Sequence, residues 1–312
     1  MSELLTPKQV ARAMDVSESS IKRWCDKGRI AAQYTAGGHR RIALSDLMAF
    51  VRGTQNELVH PEALGLPPTS GRSAKMLDRA MLRLVDALLS GDEGLCREIA
   101  FDLYLAEHSL AVISDRVFAA AFNAIGSSWE CGSAEIYQER LGCRLMERVL
   151  FELRSAIATP PADGPVAIGG TPSGDQYSLG TSITELVLRD IRWNATSLGS
   201  NLPAETMSAA IKSYRPQIFW LSCSHIEDRA TFIRNYNALF DEFGQDVAFV
   251  VGGNALDAEL RDEMRFAAYC DSMQHLEGFA QSLAGAIDRK TQDPGGPADD
   301  PGGPADAAKK LV

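Results

Sequence analysis

Two groups of polar residues near the N-terminus have the types and spacing that contact nucleic acid. The first lies on a short predicted helix and comprises Ser19, Ser20, Lys22 and Arg23. The second lies in a predicted hairpin and comprises Gly38, His39, Arg40 and Arg41. Polar side chains on a helix can read base edges in the major groove, and arginines neutralise phosphates. The two groups together predict a DNA-binding surface.

A second set of polar residues and glycines follows short apolar runs in the C-terminal half. It comprises Asp175, Tyr177 and Gly180 after the first run, Ser222 and Ser224 after the third, and Gly252 and Gly253 after the fourth. Because the carboxyl ends of parallel strands meet at one edge of a sheet, we expect these residues to form one ligand-binding crevice. The sequence has neither GxGxxG nor P-loop spacing, which argues against a dinucleotide or a nucleoside triphosphate.

A third set lies between these two, near the start of a predicted helix. It comprises Trp129, Gly132, Glu139 and Arg140. Arg140, Arg144 and Arg148 share one face of that helix, and a guanidinium suits the carboxylate of a propionate side chain. The alternative is that these arginines pair with Glu147, Glu152 or neighbouring acids on a solvated face.

The elements that position the first set are predicted over residues 1–53. Thr6 caps a helix that begins at Pro7, and a second helix follows from Ser17. A strand over 29–34, a turn over 35–38 and a return strand over 39–42 form a wing, and Ser45 caps a third helix. This order predicts a winged helix-turn-helix domain.

The rest of the chain divides by its apolar period. Residues 54–75 contain several prolines and are predicted to be a linker, and 76–158 have helical spacing typical of a four-helix cap bundle. Five apolar runs alternate with helices over 163–289, which predicts a flavodoxin-like doubly wound parallel sheet. The fold class is therefore multidomain α and α/β. The Gly- and Pro-rich repeat in 290–312 predicts a disordered tail.

Composition sets limits on the function. The chain has 312 residues, is 45% hydrophobic and carries a net charge of −10, yet residues 1–53 hold nine Lys or Arg against five Asp or Glu. A basic segment on an acidic body favours a DNA-binding module on a non-binding domain. We expect a cytoplasmic protein with reduced thiols and no membrane partner or structural metal site, because there is no membrane-spanning run, signal peptide or CxxC pair.

The sequence resembles two known families. Residues 5–11, 21–24 and 35–42 resemble the N-terminal half of MerR-type and excisionase-like DNA-binding domains, in a match over nearly all of 4–52. Residues 76–288 resemble the cap and cobalamin-binding module of the MerR-like cobalamin-dependent light-sensing repressors. The resemblance implies a double-stranded DNA operator as partner and self-association as a homodimer or homotetramer.

The departures from that second family concern its metal ligands. Its pattern is Asp-x-His-x-x-Gly, then a Ser motif, then Gly-Gly, and its cap carries a Trp followed by Glu-His. Asp175, Gly180 and Gly252-Gly253 match, but Tyr177 stands where the family's His ligates cobalt from below. Arg140 replaces the His of the cap. A phenol is a poor cobalt ligand, and a guanidinium has no lone pair to donate.

Three interpretations of the crevice follow. It holds cobalamin without a protein ligand, it holds another tetrapyrrole such as a biliverdin-like bilin or haem, or it is an empty relic. The arginine face favours a bilin or haem over cobalamin, because both carry propionates and cobalamin has none free. A bilin is placed ahead of haem. Haem would also need an axial donor, and the candidates are His108, His225, Cys131 and Cys223.

The resulting hypothesis is a transcription regulator that is not an enzyme. Its tetrapyrrole sensor would change assembly or DNA binding in response to light, redox state or ligand. The alternatives are a cobalamin-binding photoreceptor repressor without a protein axial ligand, and a ligand-free constitutive regulator. A corrinoid enzyme component is disfavoured, because no acid and base stand at catalytic spacing and a DNA-binding module is present.

Overall fold

The computed structural model describes residues 4–54, 56, 58–66, 74–130 and 136–292. The chain divides into one unit that ends at Thr159 and a second that begins at Pro160. The first unit contains the predicted winged helix-turn-helix and the bundle, and the second contains the parallel sheet. The multidomain α and α/β fold class is confirmed.

The winged helix-turn-helix comprises β1 (Leu4–Leu5), α1 (Pro7–Ala13), α2 (Glu18–Asp26), β2 (Gln33–Tyr34), β3 (Arg40–Ala43) and α3 (Leu44–Arg52). The Thr6 hydroxyl accepts from the backbone N–H of Gln9 at 3.2 Å, and the Gln9 side chain accepts from Thr6 in return. The three strands pair antiparallel in the order β1-β3-β2.

Two local predictions in this domain were wrong. The strand predicted over 29–34 is reduced to Gln33–Tyr34, because the backbone amides of Arg29 and Ile30 donate to the Trp24 carbonyl and finish the end of α2. Ser45 does not cap α3. The helix begins two residues earlier with Ala43 as its N-cap, and Ser45 is buried.

The predicted linker over 54–75 is also different in the structure. Pro61–Leu64 form a 3-10 turn, and Leu58, Pro61 and Leu66 are buried. The His60 amide donates to the carbonyl of Ala13 at 2.9 Å, which fixes this segment to the end of α1. The described part of the segment is therefore folded, because its apolar side chains find a surface to cover.

The bundle contains the four predicted helical segments. They are α4 (Ala74–Ser90), α5 (Glu93–Leu105), a composite third rod of α6 (Leu110–Ile113), a π-helical turn (Ser114–Ala119) and α7 (Ala120–Glu130), and α8 (Ile136–Arg154). The stretch Leu110–Ser127 is long and apolar enough to span a membrane by composition, and 44% of it is buried. It packs against α4 as a core rod of the bundle.

The second unit is a five-stranded parallel sheet with helices on both faces. Its elements are β4 (Val166–Gly170), α9 (Leu179–Asp190), β5 (Asn194–Ser197), α10 (Ala204–Tyr214), β6 (Ile218–Ser222), α11 (Arg229–Phe243), β7 (Ala248–Gly252), α12 (Ala258–Asp262), β8 (Ala268–Tyr269) and α13 (Met273–Gln292). The strand order is β5-β4-β6-β7-β8, which is flavodoxin-like.

The sheet separates two layers of helices. α9 contacts α13, and α10 contacts α11. The core on the side of α11 is aromatic, with Phe219 and Phe249 ring centres 5.3 Å apart and Tyr236 set edge-on to Phe249. α13 extends three residues beyond the predicted boundary at 289, and the rest of the predicted tail, 293–312, lies outside the described residues.

Candidate functional site

The helix predicted to enter the major groove is α2, and serines form its N-terminal cap. The Ser17 side chain accepts from the Ser20 backbone N–H at 3.2 Å. Its hydroxyl also lies 2.8 Å from that of Ser19 and 2.9 Å from that of Ser20. Ser19 and Ser20 therefore belong to a hydrogen-bonded cap, and base contacts by their side chains remain a prediction.

The two basic residues of α2 differ in their surroundings. Lys22 pairs with Glu18 one turn earlier, at 2.8 Å, and this contact lowers the pKa of the Glu18 carboxyl. Arg23 is exposed and, within the described part of the chain, forms no ion pair or hydrogen bond through its side chain. Arg23 is thus the cation of α2 that is most available for a phosphate or a base.

The wing ends in a tight turn. The Gly38 amide donates to the Thr35 carbonyl at 2.8 Å, and the Thr35 amide donates to His39 at 2.9 Å. Gly38 has a φ of +76°, a conformation that favours glycine. His39 is exposed at this tip, as a phosphate-contacting residue would have to be.

Arg40 is held inside the domain by an acidic residue of α2. Its Nε and Nη2 donate to Asp26 Oδ1 at 3.1 and 2.6 Å, and its guanidinium lies over the Tyr34 ring. The side chain is only 24% exposed. Arg41 is half-buried, with Nη1 donating to the Arg40 carbonyl at 3.2 Å. Arg40 therefore connects the wing to α2, a contact that the sequence reasoning missed.

The structure describes only part of the third set of residues, on the bundle. Trp129 lies in the last turn of α7, its side chain is outside the described part, and Gly132 and Cys131 are outside as well. In the first turns of α8, Glu139 is half-buried and Arg140 is exposed.

Two of the three aligned arginines contact acids of their own bundle. Arg148 forms a two-point ion pair with Glu93, at 2.9 and 2.7 Å, and Arg144 lies 3.9 Å from Glu147. The pKa of Glu93 is lowered by this partner. These contacts favour the solvated-face alternative over a propionate site. Tyr137, Leu141 and Phe151 are exposed apolar residues of α8 that the sequence reasoning did not single out.

Asp175 is the centre of the predicted crevice at the carboxyl edge of the sheet. It is fully buried, and its Oδ1 accepts from the backbone amide of Tyr177 at 3.0 Å. Its Oδ2 accepts from the amides of Ser224 and His225, at 2.6 and 3.1 Å. Among the described residues no lysine or arginine pairs with it. One carboxylate thus joins the loop after β4 to the loop after β6.

The predicted glycines allow the strand ends to approach closely. A Cβ at Gly180 would lie 2.7 Å from the Ser222 hydroxyl, and one at Gly252 would lie 2.7 Å from the Cys270 carbonyl. Gly253 has a φ of +113°, and a Cβ there would overlap the Cys223 carbonyl oxygen. The structure therefore brings the first, second and third motifs of the crevice together.

Three polar residues that support this edge were not predicted. The hydroxyl of Thr171 donates to the Asp175 carbonyl at 2.7 Å, and Asn201 accepts from the Gly174 amide. Thr181 accepts from the indole N–H of Trp220 at 2.8 Å. The partners of Asn201 and Thr181 lie 27 and 39 positions away, so no local pattern could have revealed these two contacts.

The interior beneath the edge is filled by protein. Trp220 is 2% exposed, and its ring occupies the space that a Cβ at Gly169 would need. On the other face, an open cavity of about 180 Å³ lies between α10, α11 and the loop after β4, lined by Met207, Leu221 and Phe232 among others. Ligand pockets usually measure about 300–1,000 Å³. A tetrapyrrole would therefore have to lie against the edge of this unit.

The candidate axial donors differ in accessibility. Cys223 is fully buried, and burial raises the pKa of its thiol well above the usual value. His225 and Ser224 are exposed beside Asp175, and Tyr177 and Ser222 are half-buried. His108 is half-buried and belongs to the first unit. Of these donors, His225 is the one that the structure places at the crevice and leaves exposed.

Two family models match separate parts of this chain. Residues 4–55 match a helix-turn-helix domain, and residues 82–154 match a B12 binding domain. The second match lies on the helical bundle. The resemblance to a transcription regulator with a cobalamin-binding-like sensor is thereby supported.

Curated relatives fall into two classes. The HTH-type transcriptional repressor CarA of Myxococcus xanthus is 31% identical over 50% of this chain and 54% of its own. The transcriptional repressor DcmR of Methylorubrum extorquens is 36% identical over 23% of this chain and 28% of its own. The methanol–corrinoid protein of Methanosarcina barkeri is 23% identical over 46% and 55%. The chain thus spans about half the length of CarA and of the methanol–corrinoid protein.

A solved structure shares the fold. The Methanosarcina barkeri monomethylamine corrinoid protein superposes with a TM-score of 0.55 at 15% identity, over 67% of this chain and 98% of that chain. At this identity the similarity establishes the fold alone.

Proposed function

We propose that this protein is a DNA-binding transcription regulator, cytoplasmic and not an enzyme, whose sensor binds a corrinoid without a ligand from Tyr177. The observation that carries the proposal is the presence, in one chain, of a helix-turn-helix match over 4–55 and a B12-binding match over 82–154. CarA and DcmR are named as repressors, which favours regulation over catalysis.

The residues at the carboxyl edge are compatible with a corrinoid. Gly180, Gly252 and Gly253 let the strand ends pack closely without side chains of their own, and Asp175 holds two adjacent loops in register. The ring would lie on this edge, because the interior is filled by Trp220. A bound corrinoid would supply a metal centre whose ligands can exchange. This chain's residues would bind the ring and position the loops.

The bilin and haem hypotheses have less support. They rest on propionate binding by the aligned arginines, and Arg148 and Arg144 contact Glu93 and Glu147 instead. Neither the family match nor the named relatives refer to a bilin or to haem. We retain both as competing outcomes of the ligand experiment.

The ligand experiment is an absorption spectrum of full-length protein after incubation with cobalamin, haemin or biliverdin and removal of free ligand. We expect stoichiometric retention of cobalamin. Retention of biliverdin or haemin alone would refute the corrinoid proposal. A colourless protein in all three samples would leave a ligand-free regulator.

The regulatory part of the proposal is tested on DNA. The expected partner is a double-stranded operator bound by a homodimer or homotetramer, with assembly that changes on ligand binding, light or redox state. Sedimentation and DNA retardation of the loaded and unloaded protein, in dark and light, measure both properties. Identical assembly and identical retardation in every state would contradict a sensor.

A corrinoid enzyme component is the second candidate function. It is favoured by the similarity to the methanol–corrinoid protein. This function requires no DNA. Operator binding that depends on Arg23 would therefore decide against it, whereas corrinoid uptake with no DNA binding at all would support it.

A further inference from the structure

Tyr177 stands where the family that the sequence resembles has a histidine that ligates cobalt. Its backbone amide donates to the Asp175 carboxylate at 3.0 Å. A phenol, however, is protonated at neutral pH and is a poor donor to cobalt. If the metal receives a nitrogen ligand from the sheet unit, the nitrogen must come from another residue.

Only two of the five histidines in the sequence, His225 and His275, lie after residue 160. His275 Nδ1 lies 3.1 Å from Asp271 Oδ1, on the first turn of α13. His225 lies in the loop after β6, directly beyond Ser224. Across the described residues of the sheet unit, the imidazole of His225 makes no hydrogen bond or ion pair, and the residue is exposed.

Asp175 fixes His225 next to the loop of Tyr177. One oxygen of this buried carboxylate accepts from the Tyr177 amide at 3.0 Å, and the other accepts from the His225 amide at 3.1 Å. The two backbones are therefore held by one side chain at the same edge of the sheet. The His225 side chain therefore begins from a backbone that Asp175 ties to the loop of Tyr177.

We propose that His225 supplies the axial nitrogen to the cobalt of a bound corrinoid, in place of the residue at position 177. The inference rests on the proposed corrinoid function. The step is a ligand exchange: a neutral imidazole nitrogen donates its lone pair to cobalt, and the ligand already on that face leaves with its own pair. No electron transfer is required, and imidazole is a common ligand of transition metals.

The test uses cobinamide, a corrinoid without a nucleotide base, so that any axial nitrogen must come from the protein. Full-length protein is loaded with cobinamide, reduced to the Co(II) state and examined by electron paramagnetic resonance. A bound ¹⁴N nucleus splits each cobalt line into a triplet. We expect this triplet, and we expect a doublet when the protein is labelled with ¹⁵N-histidine.

Two variants locate the donor. His225→Ala should retain its fold but lose the splitting and bind cobinamide at least about tenfold more weakly. Added free imidazole should restore a nitrogen signal that histidine labelling does not change. His275→Ala is the matched control, because it removes the other histidine of the unit, and its spectrum should equal that of the parent protein.

The possible results separate the inference from the function beneath it. A triplet that persists in His225→Ala, or that disappears in His275→Ala, overturns the assignment. Binding of cobinamide by the parent protein without nitrogen splitting overturns the assignment and leaves the corrinoid function standing. Failure to bind either cobinamide or cobalamin overturns both. Parallel circular dichroism spectra establish that each variant is folded.

Discussion

Replacing Asp175 with alanine should loosen the carboxyl edge of the sheet. The substitution removes a buried carboxylate that accepts three backbone N–H groups, from Tyr177, Ser224 and His225. Hydrogen bonds to a charged group contribute about 1.5–3 kcal/mol each. Part of this is regained, because the amides of the exposed loop after β6 can bind water. We expect a net loss of about 2–4 kcal/mol in the stability of this edge.

Hydrogen–deuterium exchange of the full chain measures this loss locally. A change of about 2–4 kcal/mol corresponds to roughly 30- to 1,000-fold faster exchange in peptides that cover 173–180 and 218–226. The matched control is Asp241→Ala, which removes an exposed partner of Arg265. An exposed ion pair contributes about 0–1 kcal/mol, so its peptides should change by less than about fivefold.

The reasoning would be refuted by a specific pattern. If Asp175→Ala exchanged no faster than Asp241→Ala at these two loops, the carboxylate would not organise the edge. The account of how His225 is placed beside Tyr177 would then fail as well. Faster exchange confined to the two loops, with the bundle unchanged, is the expected result.

Three further outcomes are expected. Arg23→Ala should weaken binding to duplex DNA and reduce the dependence of the binding constant on salt concentration by about one unit of slope. Arg40→Ala should reduce that slope less, because its guanidinium is already paired with Asp26. Equal slopes for the two variants in salt titrations would contradict this. Gly253→Ala should lower the free energy of unfolding in urea by about 1–3 kcal/mol. Gly278→Ala, which has open space for its Cβ, should stabilise its helix by about 0.5–1 kcal/mol. Equal urea midpoints for the two variants would refute the close packing of Gly253 against Cys223. Burial raises the pKa of Cys143 to about 11, so its alkylation at pH 8, measured by mass spectrometry, should be much slower in the folded protein than in urea. Because the folded state holds this proton more tightly than the unfolded state, the stability of the protein should fall as the pH rises from about 9 to 11.

Periodicity predicted the elements of this fold well. The five apolar runs became the five parallel strands within a residue or two, because a strand buried on both faces must be apolar throughout. The four helical segments of the bundle followed from the 3.6-residue stripe of α4 and the breaks at Ser90-Gly91 and 107–109. Motif order predicted that Asp175, Ser222 and Gly252 would share one edge.

The features that were missed depend on contacts between distant residues. The ion pair of Arg40 and Asp26 spans 14 positions, and the hydrogen bond from His225 to Asp175 spans 50. No local pattern encodes such partners. The prolines of 54–75 were interpreted as a linker for the same reason: the surface that Leu58 and Leu66 cover is built from other parts of the chain.

The packing of residues 58–66 has a consequence for the geometry of an operator. His60 donates to Ala13, Arg97 donates to the Gly65 carbonyl, and the Arg52 guanidinium lies 4.3 Å from the centre of the Tyr104 ring. The DNA-binding domain therefore packs against the bundle and is not joined to it only by an unstructured linker. In an assembly of such subunits, the distance and angle between recognition helices would be set by protein packing. A domain on an unstructured linker could still bind half-sites shifted by half a turn of DNA, to the opposite side of the duplex. A domain packed against the bundle could not.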